Sequence, residues 1–448
     1  MNAPQLFRNP PVIPIPEADA AGFFPSGLEY NTPARGMWNI VHMGMLVPEA
    51  HQIYLCAQGC LRGVVLTAAE MNALDRLSWV SVSEEDIIDG SLERDIYEGV
   101  RDILADMRQK PRAVLVFVSC MHLFAGVDFA AMLSLLRADF PDIDFMDCYM
   151  APTMRRAIAP IVWLNMQMYA LLRPRAINPK AAAIIGCDRP TDIGSELVRL
   201  IDAAEFTLHD ITRCETYDAF QQIAESALLI SYIPAGFAAA AETAKRFGVR
   251  HLHLPASFDY DEITANYRLL CETLGIPTPD FSREIAAAKD ALRAAFDEIG
   301  SIPVAIDFTA VTQPFSLAKL LCEAGFHVKW IIADAAGEDA AAFRWLQENR
   351  SDILLCAAAN VNMLHMGEEA LHMPVLAIGQ KAAYYLATDL FVNTVMNGGY
   401  YGFSGICAMA EQMCDAVRHP KDRRPLLSHK GFGCESCLAQ TAVSPTDL

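Results

Sequence analysis

The sequence predicts an α/β protein of three Rossmann-like domains, in which parallel β-sheets are flanked by helices. Short apolar, β-branched runs alternate along the chain with stretches of helical apolar periodicity. Strands that alternate with helices favour parallel sheets, because parallel neighbours need a crossover connection. Pro and Gly interrupt the pattern near 174–179 and 300–303, and 448 residues exceed what one hydrophobic core usually supports.

The predicted elements follow one another in three blocks. The first block is a strand, a helix and a strand at Arg112–Val118, Val127–Leu136 and Ile143–Tyr149. The second has a strand at Lys180–Gly186, a helix at Ser195–Ala203, and strands at Ala227–Ile233 and His251–Pro255. The third has a strand at Val304–Phe308, a helix at Ser316–Ala324, and strands at His327–Ala333, Ile353–Ala357 and Val375–Ile378.

These blocks predict the domain boundaries. An N-terminal leader would span 1–28, and the first α/β domain 29–178. The second domain would span 179–300, the third 301–416, and a C-terminal tail 417–448.

Composition and charge exclude several classes of protein. The net charge of −19 and the lack of Lys/Arg runs argue against a nucleic-acid surface. The first twenty residues lack the basic start and apolar core of a signal peptide. No apolar stretch is continuous enough to span a membrane. We therefore expect a cytoplasmic protein whose thirteen cysteines are buried thiols or metal ligands, not disulfides.

Three cysteines form the candidate metal site. Cys56 and Cys60 are four residues apart, which on a helix is one face and in a Gly-containing loop is a nest of thiolates. Cys120 follows a predicted strand, and parallel sheets place ligands at the carboxyl ends of their strands. Spacing alone does not separate this interpretation from three small buried thiols, since free Cys is among the most buried residues.

Other motifs are weaker. Cys434 and Cys437 form a single C-x-x-C, which is half of a tetrahedral metal site. His251 and His253 alternate on a predicted strand, but without a third ligand such a pair is usually structural. The Gly-rich stretch 398–405 matches no nucleotide-binding motif, and the sequence has no G-x-S-x-G nucleophile elbow.

Four features of the sequence together resemble the D and K subunits of nitrogenase component 1. They are the three-block plan, the segment Glu29–Arg35, the turn Gln58-Gly59-Cys60 and the pair Ser119-Cys120. The resemblance runs from about 29 to 416. It implies that Cys60 and Cys120 hold an iron–sulfur cluster at a subunit interface, either a 4Fe-4S cluster or a P-cluster-like one. The family's earlier Cys is absent from 35–38, and Cys56 is its candidate substitute.

The resemblance also assigns a subunit type. Where the family's catalytic subunit anchors an active-site cofactor through Cys and His, this chain has Tyr232 and Tyr401. Tyrosine is a poor substitute for either ligand. We therefore expect a K-like subunit without its own active-site cofactor.

Such a subunit would relay electrons to a catalytic centre in a paired component 1-like subunit. Its electron donor would be a homodimeric, ATP-dependent iron-protein reductase. The nitrogenase-like branch, with methylthio-alkane reductases as the leading candidate, implies multi-electron reduction, including C–S bond reduction. Three alternatives stay open: a scaffold for metallocluster assembly, a tetrapyrrole reductase subunit, and a metal-free binding protein.

Overall fold

A computed structural model describes residues 11–20, 22–25, 27–30, 32, 39–151, 153–154, 158–366 and 374–424. Within them the chain is an α/β protein with parallel sheets flanked by helices, as the sequence predicts. The described strands are β1 (Val12–Pro14), β2 (Ala50–Cys56), β3 (Leu77–Ser81), β4 (Ala113–Ser119), β5 (Asp144–Met150), β6 (Asn178–Ile184), β7 (Thr207–Asp210), β8 (Ser226–Ser231), β9 (Arg250–His253), β10 (Val304–Asp307), β11 (Val328–Ile332), β12 (Leu354–Cys356), β13 (Leu376–Ile378) and β14 (Phe391–Val392).

The described α-helices are α1 (Ile40–Met45), α2 (Gln58–Glu70), α3 (Glu84–Ile88), α4 (Leu92–Asp106), α5 (Cys120–Ala125), α6 (Phe129–Asp139), α7 (Pro160–Ala170), α8 (Glu196–Ala203), α9 (Tyr217–Gln221), α10 (Pro234–Phe247), α11 (Tyr260–Leu274), α12 (Ser282–Ile299), α13 (Pro314–Glu323), α14 (Ala340–Asn349), α15 (Gln380–Tyr385) and α16 (Gly402–Arg418). None of the helices in these parts of the chain is long and apolar enough to cross a membrane.

The first sheet has the strand order β3-β2-β4-β5, and all its strands are parallel. Strand β4 is fully buried because both of its faces are covered: α4 and α6 pack on one, and α1, α2 and α7 on the other. Its sequence, AVLVFVS, is nearly continuous in apolar residues, as expected of a central parallel strand.

The second sheet has the order β7-β6-β8-β9 and is also parallel. It shares one apolar core with the first sheet, because helices α7 and α10 pack against each other between them. At the end of β6 the backbones approach closely: a Cβ added to Gly186 would lie 2.1 Å from the Cα of Gly236. Only glycine allows this contact, which fixes the start of α10 against the end of β6.

The third sheet has the order β1-β12-β11-β10-β13-β14. Strand β1, from the N-terminal segment, pairs antiparallel with β12, whereas the other pairings are parallel. The side chain of Gln347 donates to the carbonyls of Ile15 and Ala18 at 3.1 and 3.0 Å, which ties the segment after β1 to α14.

The described residues belong to two compact units. The first and second sheets lie in one unit, which includes the described residues of 39–190 and 205–254. The third sheet lies in the other, with the described residues of 11–32, 191–204 and 255–424. Helix α8 therefore belongs to the unit of the third sheet, where it packs on α11 and α16. The three-domain boundaries stay a prediction.

Candidate functional site

The three candidate cysteines lie at the carboxyl edge of the first sheet. Cys56 is the last residue of β2, and Cys120 follows the last residue of β4. These strands are adjacent and parallel, with Leu55 level with Val118. Cys60 lies in the first turn of α2, directly after β2. The helix-face interpretation of the Cys56–Cys60 spacing therefore does not apply, since the two residues belong to a strand and to the helix after it.

Cys60 is exposed at the start of a helix whose first amides are not capped by a side chain. The Cys60 N–H donates to the Ala57 carbonyl at 2.9 Å, and the preceding residues, Gln58 and Gly59, are exposed. A Cβ at Gly59 would contact nothing within 4 Å. Uncapped amides at a helix N-terminus favour an anionic group, so this turn has both a thiol and a matching electrostatic environment.

Cys120 is half-buried at the start of α5, where the neighbouring polar groups hold the turn. The buried imidazole of His122 turns back to Ser119, whose N–H donates to Nδ1 at 3.3 Å and whose Oγ lies 3.2 Å from Nδ1. Because His122 Nδ1 accepts from the Ser119 N–H, these two residues close the turn that contains Cys120. Burial lowers the pKa of His122, so it is neutral at pH 7.

Cys56 differs from the other two because it is fully buried. Its side chain lies in the apolar core with Tyr54, Leu61 and Phe117. Burial first, and then the nearby Cys60 thiol, raises the pKa of Cys56 to about 12. Burial of this kind is expected of a small buried thiol, the alternative that the spacing left open, and the role of Cys56 as a ligand stays a prediction.

Exposed apolar side chains surround this edge. Helix α5 carries Leu123 and Phe124, which are 40% and 77% exposed, directly after Cys120. Helix α3, which follows β3 at the same edge, carries Ile88, which is 81% exposed. Apolar groups grouped in this way next to a candidate metal site are typical of a surface that another chain covers.

In the parts of the chain that the structure describes, no three His, Cys, Asp or Glu side chains converge on a point that could hold a single metal ion. A cluster has a different requirement, because each thiolate binds a different iron atom. Cys60 and Cys120 follow two adjacent parallel strands at the same sheet edge, and their role stays a prediction.

Tyr401 is buried beside a very small cavity. Asn266 Nδ2 donates to its phenol oxygen at 3.3 Å, and burial raises the pKa of Tyr401 well above its usual value. The cavity has a volume of about 10 Å³. Its lining consists of Ala256, Ser257, Phe258, Val311, Asn397, Tyr400, Tyr401, Gly402, Gly405 and Met409.

Tyr232, the other tyrosine that the sequence resemblance matches to a cofactor ligand, is also buried, and its hydroxyl lies near the Cys187 thiol. Cys187 follows β6 and Tyr232 follows β8, at the ends of adjacent strands of the second sheet. The phenol of Tyr232 therefore takes part in the packing at this edge of the second sheet.

Two further sequence motifs have different outcomes. Cys434 and Cys437 lie outside the described residues, as does the segment 35–38. His251 and His253 share one face of β9, and both imidazoles reach the hydroxyl of Ser231.

The exposed apolar residues of α5 and the Ser231 hydroxyl were not predicted from the sequence. Leu123 and Phe124 lie between the strand predicted to end at Val118 and the helix predicted to begin at Val127, so α5 itself was missed because of its short length. The Gly126 that ends α5 in a left-handed conformation was the available signal for that length.

The chain thus combines a parallel α/β fold with an exposed and a half-buried thiol at the carboxyl edge of its first sheet. A family model for nitrogenase component 1 type oxidoreductases matches residues 41–418. The chain therefore belongs to the nitrogenase component 1 type oxidoreductase family, whose members bind iron–sulfur clusters.

Solved structures agree on the fold. The structure "Nitrogenase Cp1 at pH 6.5" aligns with a TM-score of 0.67 at 15% identity, over 88% of this chain and 94% of that one. "Nitrogenase Cp1 at pH 5" aligns with a TM-score of 0.58 at 11% identity, over 91% and 94%. No curated protein matches by sequence.

Proposed function

We propose that this chain is a K-like subunit of a nitrogenase-like oxidoreductase and relays electrons through an iron–sulfur cluster held by Cys60 and Cys120. The observation that carries the proposal is the accessible pair of thiols at one sheet edge, beside an uncapped helix N-terminus. Cys56 is the candidate third ligand, and its burial makes it the least accessible of the three.

The residues present fit such a group. Two accessible thiols supply anionic sulfur ligands, and the amides of Gln58 and Gly59 can donate to sulfide atoms. A bound iron–sulfur cluster supplies one-electron storage. The chain itself would hold the thiolates. The apolar core that contains Cys56 would exclude water from one side of the cluster.

Two thiols, or three with Cys56, leave a cluster short of ligands from this chain, so the remainder would come from a paired component 1-like subunit. The exposed Leu123 and Phe124 beside Cys120 support a subunit interface there. The electron donor we propose is the homodimeric, ATP-dependent iron-protein reductase, with the complex in the cytoplasm. The absence of a nucleotide motif in this sequence agrees with ATP being used by that donor.

The catalytic centre would then lie on the paired subunit. The cavity beside Tyr401, at about 10 Å³, is far below the 300–1,000 Å³ typical of ligand pockets and supports a chain without its own active-site cofactor. As the substrate class we propose alkyl thioethers, whose C–S bond is reductively cleaved. This substrate assignment depends on the sequence resemblance alone.

The test is iron and acid-labile sulfide analysis with EPR spectroscopy on the anaerobically co-purified complex. We expect iron and sulfide in the complex, an EPR signal that responds to the reductase with ATP, and release of an alkane from a thioether substrate. A colourless, iron-free complex would contradict the proposal.

The same material separates the other functions. Transfer of a cluster to an apo-enzyme without turnover would indicate a scaffold. Reduction only of a chlorin- or corphin-like substrate would indicate a tetrapyrrole reductase subunit. A complex that contains iron but reduces neither thioethers nor tetrapyrroles would agree with the relay role and overturn the thioether assignment.

A further inference from the structure

Helix α5 is held on the first sheet chiefly by one buried side chain. Among its six residues, all of which the structure describes, only His122 is buried, with 1% of its surface exposed. Met121 packs against the core only in part, whereas Leu123 and Phe124 are exposed. A helix this short is not stable through its own hydrogen bonds, so its orientation depends on the contacts of His122.

The imidazole of His122 reaches back to the strand that precedes the helix. The Ser119 N–H donates to His122 Nδ1 at 3.3 Å, and Ser119 Oγ lies 3.2 Å from the same nitrogen. Ser119 is itself fixed, because it is the buried last residue of β4 and is level with Met150 of β5. The imidazole therefore connects the first turn of α5 to the sheet.

Cys120 lies within this connection. It is the first residue of α5, between Ser119 and His122, which are hydrogen-bonded to each other. At the other end of the helix, the Val127 N–H donates to the His122 carbonyl at 3.1 Å. The direction in which a helical side chain points follows from the backbone of its own turn. The direction of the Cys120 thiol is therefore set by the turn that His122 closes.

Stability alone does not explain a histidine at this position. An imidazole whose Nδ1 accepts a hydrogen bond carries its proton on Nε2. His122 Nε2 is buried and has no hydrogen-bond partner within the described residues. Burial of an unmatched donor is unfavourable, and a leucine of similar size would not carry that cost. The property that histidine has and leucine lacks is a directed acceptor for the Ser119 N–H, which fixes the orientation of the turn.

We propose that His122 is the positioning residue for Cys120, and that its hydrogen bond with Ser119 sets the direction in which the thiol faces the cluster. This inference rests on the proposed role of Cys120 as a cluster ligand. Residues that orient a ligand through hydrogen bonds contribute to metal affinity without touching the metal. The same contact orients Leu123 and Phe124, the exposed residues that follow His122 on α5.

The test compares two variants of the metal-free full chain. His122→Gln keeps an acceptor, since Gln three residues after an N-cap serine can accept from the N-cap N–H. His122→Leu has a similar volume and no acceptor. The rate at which iodoacetamide alkylates Cys120 is measured by peptide mass spectrometry, with the exposed Cys60 as internal reference. We expect alkylation of Cys120 to be about threefold faster or more in His122→Leu, because the turn opens, and unchanged in His122→Gln. The rate of Cys60 should be the same in all three proteins.

The matched control is His51→Leu. His51 is a buried histidine of the same sheet that also contacts a serine, but it lies at the amino end of β2, away from the cysteines. Its loss should leave the alkylation rate of Cys120 unchanged. If circular dichroism shows that His122→Leu does not fold, His122→Ala gives the same comparison. Equal Cys120 rates in the wild type and the variant without an acceptor would overturn the proposal, as would equal acceleration in His122→Gln.

Iron content of the co-purified complex is the second measurement. It should fall in His122→Leu and be retained in His122→Gln. Iron at the wild-type level in His122→Leu would overturn the proposal. An iron-free wild-type complex would contradict the proposed function, whereas the alkylation rates would still decide whether His122 positions Cys120.

Discussion

The side-chain amide of Asn266 donates to the phenol oxygen of Tyr401 over 3.3 Å, and to the Pro255 carbonyl over 2.9 Å. The tyrosine that the sequence resemblance matches to the histidine of the family's catalytic subunit is thus buried and has a polar partner. Metal is not needed to satisfy this phenol.

The double substitution Tyr232→Cys with Tyr401→His is therefore expected not to create a catalytic metal site. A cofactor site needs a shaped cavity and supporting contacts as well as ligands, and the cavity that Tyr401 lines has a volume of only about 10 Å³. Metal analysis of the separated subunits of the native and variant complexes checks this. A second cluster found on this chain in the native complex would overturn the K-like assignment, and one found only in the variant complex would contradict the expected effect of the double substitution.

Gly402→Ala should strongly destabilise the unit that contains the third sheet. A Cβ at Gly402 would lie 1.7 Å from the hydroxyl of buried Tyr267, and the residue has a φ of +74°. Tyr267 cannot easily move, since its hydroxyl donates to the buried carboxylate of Glu196 at 3.0 Å. We expect a loss of about 2 kcal/mol or more in the free energy of unfolding.

The matched control for Gly402→Ala is Gly63→Ala. Gly63 lies within α2, and a Cβ there would meet nothing within 4 Å. This substitution should stabilise the protein by about 0.5–1 kcal/mol, because alanine has the higher helix propensity. Urea unfolding of both variants is the measurement, and a similar stability of the two variants would contradict the steric argument.

The candidate ligands can be separated by substitution. Cys60→Ser and Cys120→Ala should each lower the iron content of the co-purified complex and weaken its assembly. Cys56→Ala should retain more iron than either, because the Cys56 thiol lies in the apolar core. Cys271→Ala is the control: this buried thiol of α11 should contribute packing only, and its loss should cost about 1 kcal/mol. Equal iron in all four variants would exclude these thiols as ligands.

Much of the fold could be predicted from the sequence, and the reasons differ between strands. The sequence predicts a strand at Arg112–Val118, and β4 is Ala113–Ser119. A strand buried on both faces is almost purely apolar, so it can be recognised in the sequence as an unbroken apolar run. Strand β2 was missed because its sequence, AHQIYLC, includes two buried polar residues, His51 and Gln52. Gln52 is tolerated there because its amide donates to the Val41 carbonyl at 3.0 Å and accepts from Tyr54 Oη at 2.7 Å.

The candidate site could be predicted only in part, because burial is a tertiary property. Spacing suggests that Cys56 and Cys60 act together, but a strand end separates a fully buried thiol from an exposed one. Likewise, the sequence places His251 and His253 on one strand face. Their shared hydrogen-bond partner, Ser231, is twenty residues from His251 in the chain. Only the register of β8 and β9 brings them together.

His51 should make the stability depend on pH. Burial, and then the nearby Arg76, lowers the pKa of His51 to about 4 from an ordinary value of 6.5, and its Nε2 lies 2.8 Å from Ser78 Oγ. Because the folded-state pKa is the lower one, the stabilisation is complete above pH 6.5 and is lost as the pH falls towards 4. Between pH 6.5 and about 5 the contribution should fall by about 1–2 kcal/mol.

His51→Gln isolates this contribution from the other groups that titrate in the same range. The variant keeps a polar side chain but has no titratable group, so its stability should decline less between pH 7 and 5 than that of the wild type. Urea unfolding of both proteins at the two pH values gives the difference. Parallel pH dependence in the two proteins would show that folding does not lower the pKa of His51.

Phe124 tests the partner surface beside Cys120. Its ring is 77% exposed on α5, and the proposed interface would bury it against the paired subunit. Phe124→Asp should therefore reduce co-purification of that subunit, since a buried, unpaired carboxylate costs several kcal/mol.

Leu135→Asp is the matched control for Phe124→Asp, because Leu135 is an apolar residue of the same unit, 47% exposed on α6. The isolated chain should fold in both variants, as both positions face solvent in it, and circular dichroism verifies this. Size-exclusion chromatography of the co-expressed subunits then measures assembly. Loss of the complex in Leu135→Asp but not in Phe124→Asp would move the interface from the edge that carries Cys120 to the surface of α6.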